Sequence, residues 1–143
     1  MSKYTQNTLR SHEINVRIRY AETDQMGVVY HGNYVQFIEM GRTEWLRALG
    51  ISYKEMEEAG VMLPVISITI NYKKSAYYDD VLTIKTTLKK LPSVKIEFEY
   101  EILNESKEII TVGSTVLAFI NMKTGRPMKC PEHLIKKLSA IEF

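Results

Sequence analysis

The sequence predicts an α+β domain in which one long helix packs on a curved antiparallel sheet. Two observations support this fold class. A single long amphipathic helix pattern spans residues 31–49, and a run of alternating apolar and polar segments with short connections begins at residue 61. One helix covers only one face of such a sheet, which gives a two-layer arrangement. At 143 residues, the chain is predicted to form one domain over residues 1–143.

A strand and a loop are predicted before the helix. Residues 13–19 alternate between apolar and polar side chains, which is typical of a half-buried strand. Residues 20–30 contain Gly27 and show no helical period, so they are predicted to form a loop. Glu22 within this loop is expected to be exposed to solvent.

The long helix is predicted from His31 to Leu49. Its apolar stripe comprises Tyr34, Phe37, Ile38, Gly41, Trp45, Ala48 and Leu49. Its polar face comprises Gln36, Glu39, Arg42, Thr43 and Arg47. Glycine inside a helix costs about 1 kcal/mol relative to alanine. Gly41 is therefore predicted to allow close approach to the sheet, and Gly50 is predicted to end the helix.

A short helix and four strands are predicted after the long helix. Ser52 is expected to cap a helix that ends at Ala59, with Glu55 in the capping-box position. Alternating patterns predict strands over residues 61–72, 80–91, 94–103 and 108–121. Pro64 indicates an irregular start to the first of these strands. Residues 131–139 are predicted to form a short terminal helix.

Composition argues against several classes of function. The 19 basic and 17 acidic residues are nearly balanced, unlike those of a dedicated nucleic-acid-binding protein. No apolar run approaches membrane-spanning length, and the polar N-terminal segment lacks the core of a signal peptide. The single cysteine, Cys130, favours a reducing cytoplasmic compartment. His12, His31 and His133 are far apart, so no metal site is predicted.

Residues 20–34 (YAETDQMGVVYHGNY) are the most informative segment for function. They place one carboxylate, Asp24, and one imidazole, His31, before the long helix. Free backbone N–H groups at a helix start favour negative charge. Acyl transfer needs one group that attacks or activates water and another that stabilises the oxyanion. The alternatives are an Asx-turn or helix cap for Asp24, and a polar residue near the helix start for His31.

The same segment resembles the signature of the hot-dog-fold acyl-CoA thioesterases in the pattern Tyr20-x-x-Thr23-Asp24-x-x-Gly27-Val28-Val29-Tyr30-His31-x-Asn33-Tyr34. The nearest branch is the 4-hydroxybenzoyl-CoA thioesterase class, which includes the Tol–Pal-associated short-chain enzymes. The element order over residues 13–121 fits the same fold. Residues 71–80 resemble the family's weaker second motif, but Ser75 replaces a common Pro and Asp79 a common Gly.

This resemblance implies hydrolysis of an acyl-CoA thioester to a free acid and CoA, without a metal or redox cofactor. Asp24 matches the family's catalytic carboxylate, which acts as nucleophile or general base depending on the member. His31 matches the first helical position, whose backbone N–H faces the thioester carbonyl. Tyr20 matches a pocket tyrosine of the Tol–Pal-associated branch. The resemblance also implies a homodimer or homotetramer with active sites at the subunit interface.

Lysines are candidates for binding the CoA phosphates, because that part of the substrate is strongly anionic. Lys89, Lys90 and Lys95 are the chosen candidates, and Lys73 and Lys74 are further ones. The alternative for Lys89 and Lys90 is a solvated strand edge.

Two other functions compete with the thioesterase. A hot-dog dehydratase or hydratase also acts on acyl chains, but it pairs histidine and carboxylate in a different motif from Thr23-Asp24-x-x-Gly27. A non-catalytic acyl-CoA-binding protein is the second alternative, and an intact Asp24 argues against it. A chain of 143 residues also leaves no room for the DNA-binding domain of an acyl-CoA sensor.

Overall fold

The computed structural model describes residues 10–143 and consists of three helices and seven strands there. The helices are α1 (Asn33–Ala48), α2 (Tyr53–Glu58) and α3 (Glu132–Leu138). The strands are β1 (Ser11–Arg17), β2 (Val61–Met62), β3 (Val65–Tyr72), β4 (Val81–Leu88), β5 (Lys95–Leu103), β6 (Ile109–Ala118) and β7 (Ile120–Asn121). Five antiparallel strands form a sheet in the order β1-β4-β5-β6-β3, and β2 pairs with β7.

The predicted two-layer α+β architecture is confirmed, with shorter elements than the sequence indicated. Helix α1 begins at Asn33 and not at His31. The predicted strand over 61–72 is divided near Pro64, as its irregular start suggested, and the one over 108–121 is divided at Phe119. The Ser52 cap is confirmed, because its hydroxyl accepts the Glu55 N–H at 3.1 Å.

Helix α1 packs closely on the sheet at Gly41, as predicted. A β-carbon added there would lie 2.7 Å from Ile84 Cγ2 and 2.7 Å from Thr86 Oγ1. The side chains that face the sheet one turn before and one turn after Gly41, including Ile38 and Trp45, are fully buried. The absence of a side chain at Gly41 therefore sets the distance between the helix and β4.

Arg42 lies in the core, and its assignment to the polar face was wrong. Only 5% of the residue is exposed. Its Nε donates to the Tyr53 hydroxyl at 2.7 Å, and its Nη1 donates to the Tyr100 hydroxyl at 3.1 Å. The Tyr100 hydroxyl also shares a 2.6 Å hydrogen bond with Thr115. These hydroxyls satisfy donors that would otherwise make burial of a guanidinium costly.

The turn before β4 depends on Asp79, which occupies the position where many members of the resembled family have Gly. Its φ of 70° lies in the left-handed region that glycine favours and aspartate tolerates. Its carbonyl and carboxylate oxygens accept from Arg17 Nη1 at 2.9 and 3.2 Å. This contact joins the end of β1 to the turn.

Strand β3 is the last strand of the sheet on one side. Its side chains are mostly exposed, including the apolar Val65, Ile66 and Ile68. Ile66 alone is 52% exposed. Helix α1 lies mainly against β1 and β4, so it leaves most of β3 uncovered.

Candidate active site

The loop before α1 is folded around Glu22, whose predicted exposure to solvent was wrong. Its carboxylate accepts the Arg19 backbone N–H at 2.7 Å and the Arg19 guanidinium at 3.0 Å. Its carbonyl oxygen accepts the Tyr30 N–H and the Asn33 Nδ2–H, each at 2.9 Å. Only 8% of Glu22 is exposed. This residue therefore connects the start of the loop to the start of the helix.

Asp24 forms the Asx-turn that was the alternative to a catalytic role. Its Oδ1 accepts the Met26 N–H at 2.8 Å and the Val28 N–H at 3.4 Å. The positive φ of Gly27, 82°, closes this turn. Among residues 10–143, no group donates a hydrogen bond to Oδ2. One oxygen thus orients the carboxylate, and the other is free for an incoming group.

His31 lies in the turn before α1 and not at the first helical position as predicted, because the helix begins two residues later and Gly32 is its N-cap. The Asn33 N–H donates to the Tyr30 carbonyl at 3.0 Å, and the Tyr34 N–H donates to the His31 carbonyl at 3.2 Å. No backbone carbonyl in the described part of the chain accepts the N–H of His31 or Gly32. Two donors are therefore free at the entrance to a 16-residue helix.

Asp24 and His31 line the same surface cavity, which has a volume of about 330 Å³. Its other wall comes from the end of β3 and the following turn, and consists of Tyr72, Lys73, Lys74 and Ser75. Tyr34 lines the cavity from α1, and burial raises the pKa of this phenol. Sequence reasoning missed Tyr34 and Tyr72 as site residues, although Tyr34 ends the first motif and Tyr72 lies in the second.

Tyr20 does not line this cavity. It lies in a 3₁₀ turn, Tyr20–Glu22, and its ring is 77% exposed. The ring packs edge-on against Tyr78, with centroids 5.9 Å apart. Its carbonyl accepts the Thr23 N–H and hydroxyl.

The three preferred lysines lie at the other end of the sheet. Lys89 and Lys90 approach Glu97 at 3.9 and 3.1 Å, and Lys95 begins β5. In the register of the sheet they lie five to seven residues from the level of Tyr72 at the cavity, which is roughly 17–24 Å along the strands at about 3.4 Å per residue. Lys73 and Lys74 line the cavity directly, and Lys74 also pairs with Glu108.

Two findings bear on metals and membranes. Residues 10–143 contain no group of three or more His, Cys, Asp or Glu side chains arranged to hold a metal ion. No helix in that range has the length and apolar character needed to cross a bilayer.

The fold and this loop define a class of protein, the hot-dog thioesterases. The family model of the thioesterase-like superfamily matches residues 18–138, and the chain belongs to that superfamily. The predictions of the hot-dog fold and of a thioesterase-class enzyme are thereby confirmed.

Individual relatives agree with this membership. The putative acyl-CoA thioesterase YneP of Bacillus subtilis is 35% identical over 114 residues, which cover 80% of this chain and 83% of the relative. The acyl-CoA thioester hydrolase YbgC of Escherichia coli is 29% identical and covers 84% of this chain and 90% of its own. The structure of a DHNA-CoA thioesterase from Staphylococcus aureus has a TM-score of 0.85 and 37% identity. It covers 91% of this chain and 89% of that one.

Proposed function

We propose that this protein is an acyl-CoA thioesterase that hydrolyses a CoA thioester to a free acid and CoA. The observation that carries the proposal is the free Oδ2 of Asp24 in one cavity with His31, whose N–H has no backbone acceptor among residues 10–143. The names of the Bacillus subtilis and Staphylococcus aureus relatives support the same substrate class.

Asp24 acts on the thioester by one of two routes. Its Oδ2 attacks the thioester carbon, the C–S bond breaks, CoA leaves as thiolate, and water then hydrolyses the mixed anhydride. Alternatively, Oδ2 takes a proton from a water molecule that attacks the same carbon. In both routes negative charge develops on the carbonyl oxygen, and the N–H groups of His31 and Gly32 stabilise it.

The imidazole of His31 has a smaller role than its backbone in this proposal. The ring lies beside Tyr30, with centroids 4.4 Å apart, and is exposed. In this proposal it protonates the leaving thiolate. His31→Ala is therefore expected to lose less activity than Asp24→Asn. Comparable losses would contradict the larger role of the backbone.

We assign the CoA phosphates to lysines in two groups. Lys73 lines the cavity and forms no ion pair with residues 10–143. Lys89, Lys90 and Lys95 would reach the same substrate only from a neighbouring subunit, because a strand's length separates them from the cavity of their own chain. Alanine variants of Lys73 and Lys90 test this. Loss of a lysine that binds phosphate should raise KM for acyl-CoA more than KM for a pantetheine thioester, which lacks the nucleotide.

We further propose that the active form is a homodimer, or a homotetramer built from such dimers. The support is the open edge of β3 together with the exposed apolar side chains of Ile66 and Ile68. Two copies of β3 paired antiparallel would continue the sheet and cover these side chains. Ile68→Lys is expected to yield monomers in sedimentation velocity, whereas Lys85→Ala on the interior strand β4 leaves the sedimentation coefficient unchanged. A wild-type monomer would contradict the proposal.

Within the family, we place the chain in the Tol–Pal-associated branch. Its support is the combination of His31 with Tyr20, which the sequence resemblance associates with that branch. Tyr20 would reach the site only by a movement of its exposed ring, so Tyr20→Phe tests that role through kcat. A cytoplasmic location is proposed from the single cysteine.

The decisive experiment is thiol release from short, long and aryl acyl-CoA esters by wild type and Asp24→Asn. Asp79→Asn is the matched control, because the same chemical change lies outside the cavity at a left-handed position that asparagine tolerates. Release that collapses only in Asp24→Asn supports the proposal. Binding of acyl-CoA without release would favour a non-catalytic binding protein. Hydration of an enoyl-CoA without release would favour the hydratase.

A further inference from the structure

We infer that Tyr72 is a positioning residue that holds the peptide group between His31 and Gly32 in the orientation the reaction needs. The inference rests on the proposed function, because it concerns the N–H donors that stabilise the oxyanion. It adds a role for a residue of β3, outside the loop and helix that supply Asp24 and His31.

Tyr72 bridges the sheet edge and the turn before α1. It is the last residue of β3, and its hydroxyl donates to the His31 carbonyl oxygen at 3.1 Å. Its ring lies edge-on to the His31 imidazole, with centroids 6.0 Å apart and planes at 75°. On its other side it packs against Tyr34, with centroids 5.5 Å apart. One side chain therefore contacts both the backbone and the ring of His31.

The hydrogen bond acts on a donor through the planarity of the peptide group. The carbonyl of His31 and the N–H of Gly32 belong to one rigid unit, so fixing the oxygen fixes the direction of the N–H. Donation to the carbonyl also polarises the unit and strengthens the N–H as a donor. The same oxygen accepts the Tyr34 N–H at 3.2 Å. Without the phenol, only the hydrogen bond from the Tyr34 N–H would hold the peptide group between His31 and Gly32. Because helix ends fray, this peptide group would then be less firmly oriented.

This contact contributes little to folding. Tyr72→Phe removes one hydroxyl of a half-exposed side chain, and the His31 carbonyl keeps its hydrogen bond from the Tyr34 N–H, so stability should scarcely change. The contact instead lies in the cavity that contains Asp24. A change at the phenol should therefore alter turnover without altering the unfolding temperature.

The test compares Tyr72→Phe with Tyr77→Phe. Both tyrosines are about half exposed, and in the described part of the chain the Tyr77 hydroxyl has no hydrogen-bond partner. Tyr72→Phe is expected to lower kcat by about tenfold, less than the loss of an entire oxyanion donor. KM and the melting temperature should stay near those of wild type. Tyr77→Phe should match wild type throughout. An unchanged kcat in Tyr72→Phe, or a rise in KM alone, would overturn the inference.

Amide NMR separates this inference from the proposed function. The Gly32 and Tyr34 amide resonances and the His31 ring resonances are expected to shift in Tyr72→Phe and to stay in place in Tyr77→Phe. Unshifted resonances would overturn the positioning role. A wild-type protein that releases no thiol from any CoA ester would refute the proposed function, and the shifts would still decide whether Tyr72 holds this peptide.

Discussion

Replacing Gly41 by alanine tests how the helix is placed on the sheet. The added β-carbon would meet Ile84 Cγ2 and Thr86 Oγ1 at 2.7 Å each, and both atoms branch from the β-carbon of a fully buried residue. Neither can rotate away cheaply, so α1 must move outward by several tenths of an ångström. Overpacking of this kind costs about 1–3 kcal/mol, and alanine returns about 1 kcal/mol of helix propensity.

The expected net effect of Gly41→Ala is a loss of up to about 2 kcal/mol of unfolding free energy, because the gain in helix propensity offsets only part of the overpacking cost. Urea unfolding at a fixed protein concentration measures it, and the melting temperature should fall by about 3 °C per kcal/mol. Turnover should fall as well, because the N–H donors lie at the start of the same helix. A variant that is more stable than wild type would refute the close-approach argument.

Two substitutions at Thr86 sharpen the same prediction. Its Oγ1 is buried without a hydrogen-bond partner among residues 10–143. Thr86→Ala removes an atom that Gly41→Ala would meet, so the double variant should lose less stability than the sum of the singles. Thr86→Val keeps the volume and is the control, for which no such relief is expected. Equal coupling in both double variants would contradict the steric explanation.

Three further predictions concern buried groups. Burial raises the pKa of the Cys130 thiol to about 12 from an ordinary 9.0, so the folded state keeps a proton that the unfolded state loses. Unfolding free energy should therefore fall above pH 9 by up to about 1.4 kcal/mol per pH unit. Urea titrations between pH 8 and 10 should show the onset of this fall in wild type and not in Cys130→Ala. Arg42→Met removes the donor to the Tyr53 hydroxyl and one of the two partners of the Tyr100 hydroxyl, and should cost about 2 kcal/mol in the same assay. Glu22→Ala should lower kcat about tenfold in the thiol-release assay, because the loop loses the contacts that hold it against the helix start.

Local patterns were sufficient to predict most of the fold. The 3.6-residue period of α1, the Ser52 cap and the alternation of β4 and β5 each depend on neighbours in sequence. The close contact at Gly41 also followed from its position in an apolar stripe. Boundaries were less accurate: the predicted helix included His31, because a residue that precedes a helix shares its period without sharing its hydrogen bonds.

The errors concern side chains whose partners are distant in sequence. Arg42 donates to Tyr100, 58 positions away, and Tyr72 donates to the His31 carbonyl, 41 positions away. The helical period assigned Arg42 to the polar face, and such a period cannot show whether hydroxyls from other elements lie close to it. Glu22 was misjudged for a different reason: its contacts with Arg19, Tyr30 and Asn33 exist only because the loop folds back on itself, and a sequence pattern does not display them.

The two explanations of Asp24 turn out to be compatible. A loop aspartate before a helix is most often an Asx-turn residue, and Oδ1 has that role here. The turn does not compete with reactivity, because it fixes the carboxylate and leaves Oδ2 free. The same reasoning applies to the residues around the site. Glu22 holds the loop, Gly41 sets the distance between α1 and β4, and Tyr72 fixes the turn before α1. Since each acts on the position of a few atoms in one cavity, changes at Glu22 and Tyr72 should reduce turnover proportionally more than they reduce stability.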